Sequence, residues 1–336
     1  MSNFDCRRVS VILPLAILAG LFCVPYLAGL AEQPFYVSLV ARIIIYAIAA
    51  TGLNLALGDG GLVSFGHALF IGLGVYSVAL PASFGVDNVA VHLALCLLIC
   101  SLVGVVTGHI SLRTSGMSFI MITLAFAQMG YFMFVSLKQF GGDDGMGIAL
   151  TSRFGAVNLG DPLTLYVVSL VTLVLLITWF ARLRVAPFGM VLRATRQNAR
   201  RVNALGFSVK RYQLVAYVVS ACVCGVAGLL LANHSAFASP STMSWLVSGE
   251  LIVMVVLGGM GSAFGSLLGA VVYLVLEEVL KGYSEHWMLV LGPLIVCVAL
   301  LGKGGLVGFL AQVDCRLVRS KVTATPLKSL VAEDHK

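Results

Sequence analysis

Val89-Ala-Val-His-Leu-Ala-Leu-Cys-Leu-Leu-Ile-Cys-Ser-Leu-Val-Gly-Val-Val-Thr-Gly108 runs for 20 residues without an Asp, Glu, Lys or Arg. About 20 apolar residues, at a rise of about 1.5 Å each, cross the hydrocarbon core of a bilayer as a helix. The same criterion, applied outward from this run, places ten spans at 9–30, 36–57, 62–84, 89–108, 117–137, 162–181, 212–233, 245–258, 264–281 and 286–302. The expected fold is an all-α polytopic membrane protein of about ten transmembrane helices. Composition agrees, with 60% apolar and 10% charged residues. Soluble domains carry roughly 25% charged residues, so a soluble enzyme, a nucleic-acid-binding domain and a disordered scaffold are excluded. The first run follows Arg7 and Arg8 and is about 22 residues long. That exceeds the roughly 7–15 of a signal h-region, and it reads as a retained span.

Basic residues orient the spans. With the N-terminus inside, the cytoplasmic segments hold 17 of the 21 Lys and Arg residues. The outer segments hold Lys138, Arg153 and Lys281, and Arg42 lies within a span. Positive charge collects on the cytoplasmic side of membrane proteins, which selects the arrangement with both termini cytoplasmic. Reading 245–281 as one broken, re-entrant span would expel the basic tail, so two spans are expected there. The net charge of +7 is then a matter of orientation and does not imply a nucleic-acid partner. Residues 1–308 form the membrane domain and 309–336 a short cytoplasmic tail. Of the eight cysteines, six lie in apolar runs and none forms Cys-x-x-Cys, so neither a metal site nor a disulfide framework is expected.

The loop 182–211 carries eight of the basic residues. Met190 to Leu205 lacks Pro and Gly. Arg193, Arg196 and Arg200 fall at i, i+3 and i+7, on one face of an expected helix. Val191, Ala194, Val202 and Leu205 fall on another, and Gly206 stands where a helix C′ residue should. Such a helix fits either an anchor on anionic lipid or a docking element for a cytoplasmic subunit.

Two glycine-rich stretches interrupt the apolar pattern: 58–67, Gly-Asp-Gly-Gly-Leu-Val-Ser-Phe-Gly-His, and 258–265, Gly-Gly-Met-Gly-Ser-Ala-Phe-Gly. Broken backbone at membrane depth survives only where protein buries it or where it lines a wet cavity, as in transporters. Gly104, Gly108 and Gly269 read as close helix packing. The candidate path residues are Asn54, Ser64, Gly66, His67, Thr123, Gln128, Glu250, Gly258, Gly259 and Gly261. Arg42 is near enough to the outer side to snorkel. His67 is expected near the inner boundary, Glu250 near an interface marked by Trp245, and Glu277 with Lys281 as a local i, i+4 pair. No Walker phosphate loop, nucleophile elbow or His-Glu-x-x-His occurs, so catalytic residues and a cofactor of this chain's own are not expected.

At this point the motifs can be compared with a family. Gly61-Leu-Val-Ser-Phe-Gly-His-Ala-Leu-Phe-Ile-Gly-Leu-Gly-Val-Tyr76 resembles the hallmark span of branched-chain amino acid ABC transporter permeases. So do residues 112–129, the outer Gly141-Gly-Asp-Asp-Gly145, the segment Arg193 to Gly206 with Ser220 to Gly228, and Glu250 through Gly265. In family order these cover about 42–308 and are most similar to the M-type member of the permease pair. The resemblance implies a bacterial inner-membrane importer for leucine, isoleucine and valine. It also implies a second, non-identical permease, two cytoplasmic ATPase subunits that bind ATP, and an external solute-binding protein. Arg193, Arg196, Asn198 and Arg200 would dock the ATPase, and Gly206 would let the link turn. Similar systems carry other amino acids, amides or urea, and the bare sequence also fits an ion-coupled transporter or a membrane anchor. The chain departs from the family at Asp59, where relatives tend to have an uncharged residue, and at Cys222 and Cys224, which replace small residues.

Overall fold

In the computed structural model, residues 34–154 and 157–283 are described, with short stretches within 17–22 and 286–309. The expected spans 9–30 and 286–302 and the tail after 309 fall largely outside the described residues. Among the described residues the α-helices, in order, are α1 Pro34–Asn54, α2 His67–Ser83, α3 Val89–Ser111, α4 Met117–Ser136, α5 Pro162–Val185, α6 Pro187–Ala204, α7 Val209–Ser235, α8 Trp245–Gly258 and α9 Gly265–Tyr283. Five segments among the described residues are long and apolar enough to cross a membrane: α1 with the π-helical turn Leu55–Asp59 that extends it, α3, α4, α5 and α7.

Helix ends carry their own capping chemistry. Asn88 accepts from the Ala90 N–H at the start of α3, and Asp161 accepts from Thr164 N–H ahead of Pro162 in α5. Both satisfy donors that the first turn of a helix leaves open.

α7 is the central post, packed against α1, α2 and α3. Its small residues explain how. A Cβ on Gly228 would overlap the Ile71 carbonyl of α2, and one on Gly225 would lie 2.5 Å from Cys100 Sγ of α3. Without a hydrophobic drive between helices in lipid, such close backbone approach supplies the packing. Gly104 and Gly108 of α3 meet α7 at Ala221 and at Leu214 with Tyr217, as the sequence suggested.

The region expected to hold two spans contains two helices, α8 and α9, joined by the second glycine-rich stretch. Gly258 faces Gly265, and Gly269 lies against the Met254 carbonyl. At the end of the bundle away from α6, Met146–Gly147 pairs antiparallel with Phe237–Ala238, and Arg153–Phe154 with Val157–Asn158. Asn233 of α7 accepts from Ser152 N–H, which fastens this loop to the post.

One expectation is corrected. Residues 62–66 do not belong to the helix of the third span, because regular helix begins only at His67. Gly61, at φ 70°, turns the chain into a non-helical segment. α2 is consequently 17 residues long, and α8 is 14, both shorter than a full crossing.

Candidate functional site: two broken segments and the helix that joins them

The first break is stitched along its length. The Phe65 N–H donates to Thr123 Oγ1 at 3.2 Å, and the Gly66 N–H to Ser64 Oγ at 3.1 Å. Ser248 of α8 donates to the Phe65 carbonyl at 2.7 Å and accepts from the Ala68 N–H at 2.9 Å. These bonds replace the ladder that broken backbone forfeits, as burial demands.

His67 is fully buried, and its Nε2 lies 2.8 Å from Ser220 Oγ. Ser220 spends its own proton on the Gly52 carbonyl at 2.7 Å. Its lone pair therefore faces the ring, and His67 carries its proton on Nε2. The sequence placed His67 near the inner boundary, but it lies deep. Ser220 is 11 residues into α7, about 16 Å along the helix. The non-helical segment 62–66 carries His67 to that depth. Tyr217 closes the junction, its ring 5.5 Å from that of His67 and 5.8 Å from that of Phe70.

The second break lies at the α6 end. Asn54 donates from Nδ2 to the Ser262 carbonyl at 2.8 Å and accepts on Oδ1 from the Gly261 N–H at 2.9 Å. Gly259 and Gly261 have φ of 118° and 76°, values that favour glycine. Gly58 abuts the Gly261 backbone so closely that a Cβ would lie 2.5 Å from its nitrogen. The two glycine stretches, far apart in sequence, thus meet.

α6 is fastened to this meeting point. Arg196 donates from Nη1 to the Gly58 carbonyl, its Cγ lies against Gly61, and Nη1 lies beside Gly261. Asp59, with only 6% of its side chain exposed, pairs with Arg184 Nε at 3.2 Å. The Asp59 carboxylate therefore anchors the end of α5.

The helix itself differs from its sequence reading. Asn198 has φ −157° and ψ 94°, which breaks α6, and its Oδ1 accepts from the Arg201 N–H as the cap of a second short helix. Asn and Asp side chains compete with the helix for backbone bonds in this way. The break ends the common face of Arg193, Arg196 and Arg200. Gly189, Leu192, Thr195 and Val202 form the buried face, whereas Ala194 and Leu205 are exposed. Arg193 donates to the Arg184 carbonyl at 2.8 Å, and Arg200 stays exposed. Gly206, at φ 90°, closes the helix as expected: its N–H bonds Asn203 and the Phe207 N–H bonds Val202.

The remaining candidates lie elsewhere. Glu250 belongs to a charged group shared by α1, α8 and α9, with Arg42, Glu277 and Lys281. Glu277 is buried and pairs with both Lys281 and Arg42, the latter at 3.4 Å. Arg42 thus crosses to α9 and also lies 5.8 Å from the Tyr46 ring centre. Gln128 is half-buried on α4. Sequence reasoning missed Arg184, Tyr217, Ser220 and Ser248 as site residues. Hydroxyls within apolar runs were the available signal for the two serines.

Short apolar helices that stop at broken, side-chain-stitched backbone inside a helical bundle are the build of a membrane transport permease. The family model described as "Branched-chain amino acid transport system / permease component" matches residues 35–299. The high-affinity branched-chain amino acid transport system permease protein LivM of Escherichia coli K12 is 29% identical over 315 residues, spanning 85% of this chain and 74% of that protein. LivM of Salmonella typhimurium is 30% identical over 316 residues with the same coverage. LivH of Salmonella typhimurium is 25% identical over 285 residues, 78% of this chain and 91% of its own. No solved structure matches the chain. The chain belongs to the branched-chain amino acid transport permease family.

Proposed function

We propose that this chain is one of two homologous permease subunits of an ATP-driven importer in the bacterial inner membrane, forming half of a path for leucine, isoleucine and valine. Its α6 end faces the cytoplasm, both termini lie on that side, and a pair of ATPase subunits docks there and binds the ATP. An external solute-binding protein delivers substrate to the opposite end and sets much of the selectivity.

The observation that carries this reading is the attachment of α6 to both breaks, through Arg196 to Gly58 and through the Gly58–Gly261 contact. A push on α6 is therefore delivered to the backbone where both broken segments meet. Asp59 and Arg184 keep the α5–α6 corner fixed to the same turn. Packed segments with discrete arrangements move as units, so displacement at Arg196 shifts the two breaks together. Around them, the buried Ser64, His67, Thr123 and Asn54 hold the broken backbone, and Gly259 with Gly261 supplies the turns.

The test is leucine uptake into proteoliposomes holding this chain, its second permease, the ATPases and the binding protein. Arg196→Gln keeps the helix but removes the charged donor to Gly58. Uptake is expected to fall at least tenfold while ATP hydrolysis continues. Unchanged uptake, or uptake without any ATPase, sinks the coupling claim.

A further inference from the structure

A groove of about 570 Å³ runs between α3 and α5 over the surface of α7. Leu93 and Leu97 form one wall, Val171 and Leu175 the other, and Val226 and Leu230 the floor. Its hydroxyl, on Thr172, is already spent on the Val168 carbonyl at 2.8 Å. All three helices are long and apolar enough to cross a membrane, so the groove opens to lipid rather than to water. It starts at Val89 and Leu159, at the end away from α6, and reaches Leu97. Eight residues of α3 span about 12 Å, most of the roughly 15 Å of one leaflet.

Arg153 stands at its mouth. Its backbone bridges Asn88 on one side and pairs with Asn158 on the other. Val89 and Leu159, the next residue in each case, form the outer end of the groove. Arg153 is exposed, and it is one of three basic residues that the charge bias leaves on this side.

We propose that this groove seats an acyl chain of a phospholipid from the leaflet away from α6, with its anionic headgroup at Arg153. An apolar groove that ends beside a single guanidinium matches an acyl chain joined to an anionic headgroup. Leu21, in the first apolar run, meets another face of α5, where the Tyr166 hydroxyl donates to its carbonyl. Leu175 stands nine residues beyond Tyr166, about half a turn round α5. Lipid tails are as apolar as leucine, so the groove selects shape and gives little net drive. Preference must come from the guanidinium, which binds a phosphodiester through charge-assisted hydrogen bonds.

The experiment is native mass spectrometry of the purified full-length chain, titrated with dioleoyl-phosphatidylglycerol or dioleoyl-phosphatidylcholine. The wild type is expected to retain one phosphatidylglycerol per chain in preference to phosphatidylcholine. Arg153→Gln should cut that preference about fivefold. Val171→Trp, which fills the groove, should lose the bound lipid. Val167→Trp, exposed on α5 outside the groove, should keep it. An undiminished preference in R153Q overturns the proposal by itself, since that surface change leaves the packing intact. A retained lipid in V171W also overturns it.

Discussion

The two glycine breaks touch at Gly58 and Gly261, yet they are held in opposite ways. The first, residues 58–66, receives side chains from α4 and α8 along its length, and the His67 that follows it is fixed to α7. The second, residues 259–264, receives side-chain hydrogen bonds from Asn54 alone among the described residues. Loss of one bond in the first leaves neighbours in place. Loss of Asn54 releases the whole turn. The first break therefore acts as a fixed sill and the second as the part that can swing, with α6 attached where they meet.

Asn54→Ala should produce the largest change. It orphans the Gly261 N–H and the Ser262 carbonyl at once, at about 1–3 kcal/mol for each buried group. Thermal unfolding in detergent checks it, together with faster hydrogen exchange confined to 259–264. Thr123→Val has nearly the same shape and orphans only the Phe65 N–H, so its cost is about 1–3 kcal/mol. Ser64 and Ser248 still hold the segment, and exchange at 61–66 should rise little. If Thr123→Val opens its break as far as Asn54→Ala opens the other, the distinction between sill and swinging turn fails.

A smaller effect separates the halves of α6. Asn198→Ala removes the cap on the Arg201 N–H, a loss of about 1 kcal/mol. It also removes the reason for the break, so Pro187–Ala204 should gain continuous helix. Transport is then expected to fall more than stability does. Equal loss in both would make the Asn198 break a packing feature only.

Sequence reading reached the class of fold, the two helices within 245–281, the glycine cap at 206 and the two glycine-rich interruptions. Those follow from hydropathy, charge bias and glycine spacing, all local signals. It did not reach the depth of His67, because a non-helical segment of five residues shifts a helix start in a way periodicity does not register. Nor did it find the partner of Asp59. Arg184 is 125 residues away, and only the folded chain brings the two together. The arginines of α6 were placed on one face because spacing alone assumes an unbroken helix, and the non-helical backbone at Asn198 removes that assumption.

Arg200 and Arg196 complete the comparison between what α6 offers its surroundings and what it holds. Both are basic and four residues apart, so spacing alone treats them alike. Arg196 is tied to the Gly58 carbonyl, whereas Arg200 follows the break and is exposed. Surface charge changes away from caps and packing usually alter stability by less than about 0.5 kcal/mol. Arg200→Glu should therefore leave the unfolding midpoint unchanged and weaken ATPase association, measured by co-purification over a range of salt. The field of an exposed charge is largely screened beyond about 10 Å at 0.1 M salt, and over shorter distances at higher salt, so the wild-type association should itself fall as salt rises. Arg196→Gln, by contrast, should leave association intact and lose transport. Were the two variants to exchange these phenotypes, α6 would dock through the side that grips the breaks, and the attachment at Gly58 could not transmit its motion.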